Sequence, residues 1–73
     1  MGKKLIIFGI GPLAKTMYHY FTTDSEYEVA VFSADRQYIA ESEFCGLPIV
    51  AFEEIDTKFP SDEYDLFLAV GYS

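Results

Sequence analysis

Gly9 and Gly11, with Ala14 three positions further on, are the residues whose types and spacing point most directly to chemistry. The string Gly9-Ile10-Gly11-Pro12-Leu13-Ala14 follows an apolar run, Leu5-Ile6-Ile7-Phe8, and opens an apolar stripe at helical spacing. Between a strand and a helix, small residues so placed form a phosphate-binding turn. The first glycine permits the tight turn and the second lets a ligand approach the backbone. The third small residue lets helix and strand pack closely. Amides at the helix start then face the anion with the helix dipole behind them. Pro12 removes one amide and leaves those of Gly11 and Leu13. The competing reading is that both glycines serve only a tight strand-to-helix turn.

A second candidate is Asp35, 24 residues after Gly11. In dinucleotide sites an acid about 20 residues beyond the glycines accepts the ribose hydroxyls. The second strand is predicted to end at Phe32, which leaves Ser33 in the slot of that acid. Asp35 then sits in the following loop, within reach of a ribose or base. Ser33 is expected to donate to the same ligand, and Arg36 to reach a phosphate. The plainer alternatives are a loop-capping aspartate and a solvated arginine. Catalytic machinery is thin. His19, the only histidine, reads as a surface residue beside Lys15. Cys45 has neither a histidine partner nor a basic cluster to lower its pKa, and reads as an ordinary half-buried thiol. One Cys and one His do not assemble a four-ligand zinc site. Glu53, Glu54 and Asp56 cluster without a convergent pocket. The expectation is recognition of a ligand, with no residue assigned to catalysis and no metal.

The elements that must position these residues follow from periodicity. Leu5–Phe8 is apolar throughout, as in a strand covered on both faces. Pro12 suits the first turn of a helix, on which Leu13, Met17 and Phe21 line one stripe. Tyr27–Phe32 is a second strand, with Val29 and Val31 on one face and Ala30 and Phe32 on the other. Strand, helix, strand in this order makes a parallel βαβ unit. Residues 37–45 form a loop or a very short helix. Gly46–Val50 reads as an edge strand, because Pro48 lacks an amide for a central position. Phe52 and Ile55 face inward from a short helix, and Tyr64–Val70 is the last strand. The expected fold is a small α/β, Rossmann-like parallel sheet of four strands in the order 3-2-1-4. The glycine turn lies at its switch point. Its core is expected to contain Leu5, Ile7, Leu13, Met17, Phe21, Val29, Val31, Ile49, Ile55, Leu66 and Leu68.

Composition narrows the classes of function. The chain has 73 residues, 12 acidic and 5 basic side chains, and a net charge of -7. So few cations disfavour nucleic acid, whose phosphates need Lys and Arg. Neither apolar run approaches the roughly 20 residues of a membrane span, so no membrane partner is expected. No secretory signal is visible, because glycine and proline interrupt the first apolar run at once. A single cysteine excludes an internal disulfide and points to the cytoplasm. Residues 1–73 read as one domain from the amino-terminal end of a longer chain, since the last strand needs a covering layer. The alternative is a free-standing domain that self-associates through that layer.

Lys4–Gly11, Glu28–Asp35, Gly46-Leu47-Pro48-Ile49 and Asp65–Gly71, in this order, carry a family resemblance. The chain resembles the amino-terminal domain of the bacterial sugar O- and N-acyltransferases related to sialic acid O-acetyltransferase. The resemblance implies a small nucleotide-binding domain ahead of a left-handed parallel β-helix of hexapeptide repeats. In that family the β-helix forms trimers, binds acetyl-CoA and carries the catalytic histidine. The first domain holds the nucleotide of a UDP- or dTDP-linked amino sugar. By resemblance, Gly9 and Gly11 meet the diphosphate, Asp35 faces the nucleoside, and Gly71 with Tyr72 lines the remaining side. The sequence departs from the family pattern at Pro12 and at Ser33. Two other readings stand beside this one: the NAD(P)-binding half of a dehydrogenase or epimerase, and a non-catalytic structural module.

Overall fold

The computed structural model describes residues 3–69. Its elements are β1 (Lys4–Phe8), α1 (Pro12–Thr23), β2 (Glu28–Ala34), β3 (Glu43–Phe44), β4 (Leu47–Ala51), α2 (Ile55–Lys58) and β5 (Tyr64–Leu68). Single 3-10 turns, Arg36–Tyr38 and Phe52–Glu54, follow β2 and β4. The class is α/β, as expected, but the sheet is five-stranded and mixed, in the order β3-β4-β2-β1-β5. β1 pairs in parallel with β2 and β5, and β4 in parallel with β2. The expected four-stranded, all-parallel sheet of order 3-2-1-4 is therefore corrected.

The extra strand comes from residues 37–45, where no strand was expected. β3 runs antiparallel to β4 through a two-residue turn at Cys45 and Gly46, both with positive φ (54° and 81°). Two such residues in succession are what a tight hairpin turn demands. β4 accordingly lies inside the sheet and not at its edge. Pro48 is tolerated because the ladder to β2 begins only at Ile49.

Two apolar layers flank the sheet. Leu5, Ile7, Val29 and Phe32 pack with Ala14 of α1, and Met17, Tyr18 and Phe21 close that layer half-buried. Ile6 and Val31 pack with Ile55 of α2 on the opposite face. Simple alternation would put Val29 and Val31 on one face. A bulge intervenes: Leu5 is level with Val29, but Ile6 is level with Val31, so Ala30 is the extra residue. The bulge reverses the phase of β2 beyond it.

Three expected core residues are exposed. Leu13 is 40% exposed because α1 turns Ala14 inward instead, at 0%, which brings helix and sheet together. Leu66 and Leu68, at 43% and 59%, are level with Ile6 and Phe8 and so share the face of α2. That helix has four residues and covers Ile6, Val31 and part of Tyr64 without sheltering Leu66 and Leu68. Phe52, expected inward, is also exposed. Aromatic edges fill much of the α1 layer, with Phe21 against Tyr27 and Phe67, and Phe32 against Phe44. Each such pair contributes about 0.5–1.5 kcal/mol beyond its burial. No helix among the described residues is long and apolar enough to cross a membrane.

Candidate functional site

The two glycines of the turn have different physical causes. Gly9 has φ +133°, and a Cβ there would lie 2.6 Å from the carbonyl oxygen of Ala69. Its amide donates to the Ser33 carbonyl at 2.7 Å, while the Ala69 amide donates to the Phe8 carbonyl at 2.8 Å. Gly9 is thus wedged between the ends of β2 and β5, and the fold alone requires glycine. Gly11 is the opposite case. It caps α1 with φ -99° and ψ -168°, extended backbone open to any residue. A Cβ there would meet nothing within 4 Å among the described residues.

The start of α1 is uncapped. Gly11 has no side chain, and no acidic residue stands in the first turn. Pro12 occupies the first helical position and has no amide to satisfy. The Leu13 amide belongs to the helix start, where no intrahelical acceptor exists. What the turn offers chemically is a small bare surface of amide donors at the positive end of a 12-residue helix. Such a surface suits an anion.

β2 runs two residues further than expected, to Ala34. Ser33 is therefore inside the sheet, fully buried at 0% exposure. Its hydroxyl has no hydrogen-bond partner among the described residues. Asp35 is the first residue beyond the strand, exposed, and its carboxylate caps no amide of the following turn. Since β1 and β2 are adjacent, with Phe8 level with Ser33, Asp35 stands beside the glycine turn. Comparison of the chain with protein-family models, with curated proteins and with solved structures returned no match. Geometry therefore carries the reading of the site.

Arg36 is already engaged. Its Nε donates to Glu53 Oε1 at 2.9 Å and its Nη2 to Glu54 Oε2 at 3.1 Å. Lys58 completes the network at 2.7 Å from Glu54 Oε1. Glu53 and then Glu54 raise the Arg36 pKa above its ordinary value. Lys58, followed by Arg36, holds the Glu54 carboxyl below the usual carboxylate range. Arg36 thus ties the loop after β2 to the turn after β4, and an arriving phosphate would compete with two carboxylates for it.

Phe52, in that same turn, packs edge-on against Phe8, ring centroids 5.0 Å apart. Glu53 and Glu54 of the acidic cluster, expected to form no convergent pocket, supply the ion pairs beside it, and the Glu54–Lys58 pair is a helical i,i+4 spacing. A cavity of about 350 Å³ adjoins it, lined by Arg36, Ile39, Glu54, Lys58 and the Ile49–Ala51 stretch of β4. This cavity lies beside the Arg36 loop and not at the glycine turn. A second, of about 260 Å³, is lined by Lys3, Ser25, Glu26 and Tyr27. It sits at the opposite ends of the strands.

The structure therefore brings Gly9, Gly11, Pro12, Leu13, Ser33, Asp35 and Arg36 to one edge of the sheet. Gly71 and Tyr72 lie outside the described residues. His19 is exposed on α1 and Cys45 half-buried in the β3–β4 turn, both away from this edge.

Proposed function

We propose that the chain is a nucleotide-recognition domain that holds the diphosphate at Gly11 and the start of α1, with the nucleoside near Asp35. Gly11 carries the reading. Neither its backbone angles nor any neighbour among the described residues requires glycine; glycine serves as a helix N-cap, and it also leaves the backbone bare for a ligand, the role this proposal assigns to it. Four parallel strands that present their carboxyl ends to one edge support the reading further, since ligands of open α/β sheets bind there.

Within that reading, the resemblance in the sequence favours a UDP- or dTDP-linked amino sugar as ligand. The chain would serve as the recognition domain of an acetyl-CoA-dependent sugar acyltransferase, a cytoplasmic enzyme whose trimeric β-helix lies outside these residues. Acetyl-CoA would bind to that β-helix and to none of the residues described. The domain's contribution is positional: binding energy from the nucleotide, remote from the acyl transfer, holds the sugar for chemistry elsewhere.

Titration of UDP, dTDP, NAD and ATP at fixed salt into the parent and into Gly11→Val tests the proposal. UDP or dTDP is expected to bind, with at least a tenfold loss in Gly11→Val, whose side chain fills the phosphate approach. Failure of all four ligands with a folded protein would refute nucleotide recognition. A second reading, the NAD(P)-binding half-domain, gains one specific observation: Asp35 directly follows β2, the place of the ribose-binding acid. Preferential binding of NAD would establish that reading instead.

A further inference from the structure

Ser33 presents an unusual combination, a hydroxyl at full burial without a partner among the described residues. Buried polar groups are almost always paired, and an exception calls for a reason. What lies above it follows from the sheet. β2 runs between β4 and β1, with Ser33 level with Val50 on one side and Phe8 on the other. Level residues in parallel strands point to the same face. Phe52 is rooted just beyond the end of β4, yet its ring meets Phe8 on β1. Two strand spacings, about 10 Å, separate those strands. The Phe52 side therefore reaches across the end of β2, on the face to which Ser33 points.

Phe52 itself is poorly anchored. It is 44% exposed, and it begins a three-residue 3-10 turn with no side-chain cap. The next two residues, Glu53 and Glu54, are held by Arg36 from the loop that also carries Asp35. That ion pair is exposed, 64% on both sides at Glu53, and an anion arriving at the sheet edge competes for it. A buried donor, an aromatic side chain spanning the same face from β4 to Phe8 and an exposed clasp beside the candidate site thus lie together.

We infer that Phe52 covers a polar subsite whose donor is the Ser33 hydroxyl, and that the cover swings aside to admit a hydroxyl or carbonyl group of the nucleoside. The inference rests on the nucleotide reading for its ligand but not for its moving part. Opening reduces the apparent affinity by the fraction of open molecules. Removing the cover therefore tightens binding, whereas removing a stacking platform would weaken it.

The moving part is tested without ligand. In a Cys45→Ser background, Ser33→Cys is exposed to a thiol reagent under native conditions. Adding Phe52→Ala is expected to raise the labelling rate at least tenfold, and adding Arg36→Gln several-fold. A labelling rate unchanged by Phe52→Ala, or equal to that of global unfolding in every variant, would overturn the cover. Should Ser33→Cys not fold, UDP titrations of Phe52→Ala and of Phe52→Ala with Ser33→Ala decide the matter. The first is expected to bind at least threefold more tightly than the parent, and the second to lose that gain. Weaker binding by Phe52→Ala alone overturns the inference. Accelerated labelling in a protein that binds no nucleotide supports the cover and sinks the nucleotide reading. Gly11-dependent binding without any effect of Phe52→Ala does the reverse.

Discussion

Replacing Gly9 with alanine is expected to unfold most of the population, whereas serine at Gly11 is expected to leave the fold intact or firmer. At Gly9 two costs combine. A non-glycine residue held at φ +133° carries about 1–3 kcal/mol of backbone strain. Its Cβ, 2.6 Å from the Ala69 carbonyl oxygen, meets backbone that is itself fixed by the Ala69 amide on Phe8. Relief requires β1 and β5 to part, and overpacking of this kind costs about 1–3 kcal/mol. The sum, about 2–6 kcal/mol, compares with the roughly 3–5 kcal/mol that one core of this size supplies.

Gly11 has neither cost, and serine there supplies the side-chain cap that α1 lacks. Serine outranks glycine at that position by a few tenths of a kcal/mol. Urea denaturation followed by far-UV circular dichroism reads both variants, with amide spectra as a check on packing. A Gly9→Ala midpoint within about 0.5 kcal/mol of the parent would refute the wedging of Gly9 between the ends of β2 and β5. D-Alanine at position 9, accessible by chemical synthesis at this length, separates the causes: it accepts the positive φ and moves the Cβ to the other side of the backbone.

Two further outcomes are expected. Ser33→Ala removes a buried hydroxyl without a partner, which relieves about 1–3 kcal/mol against a few tenths for the small void. Its urea midpoint should rise by roughly 1 kcal/mol in stability, and a loss beyond about 0.5 kcal/mol would mean that the hydroxyl is satisfied. At the other end of the sheet, the Tyr27 hydroxyl donates to Asp65 at 2.7 Å and Lys3 lies 3.1 Å away. These partners, the tyrosine first, lower the Asp65 pKa. Its contribution is therefore complete above the unfolded value of about 3.9 and is lost as pH falls through the lower folded value. Thermal melts at pH 6 and pH 3 should show a smaller acid loss for Asp65→Asn than for the parent; equal losses would place the effect elsewhere.

Local signals made the first half of the fold legible. An unbroken apolar run ending in glycine marked β1, and Pro12 marked the start of α1 at the residue where it begins. Of the α1 stripe, Met17 and Phe21 pack against the sheet as expected, but Leu13 does not; Ala14 takes the buried place, because its smallness lets the helix approach the sheet. β3 was missed because it has two residues and its turn uses Cys45 in a left-handed conformation, a role that cysteine does not advertise. Leu66 and Leu68 looked like core because strand periodicity reports which residues are apolar, not whether a neighbouring layer reaches them. At the candidate site, glycine spacing and Asp35 were legible. The engagement of Arg36 by Glu53 and Glu54 spans 17 and 18 positions, beyond any local rule.

The bulge in β2 links fold and site most closely. Were Ala30 paired in regular alternation and not bulged, Ser33 would share the face of Val29 and α1. Ala34 would then occupy the opposite face, under the turn that carries Phe52. With the bulge, Val31 and Ser33 face α2 while Phe32 and Ala34 face α1. Whether Ala30 bulges or pairs thus decides whether a methyl or a hydroxyl faces the side of the sheet on which Phe52 meets Phe8. The methyl would cost nothing to bury. The hydroxyl costs free energy unless something meets it, and a fold this small has little stability to lose. Serine at a buried position beside the glycine turn and Asp35 is therefore hard to explain by packing. On the proposed reading a ligand group that the hydroxyl meets explains it, and Gly11, which no described residue constrains to glycine, fits the same explanation.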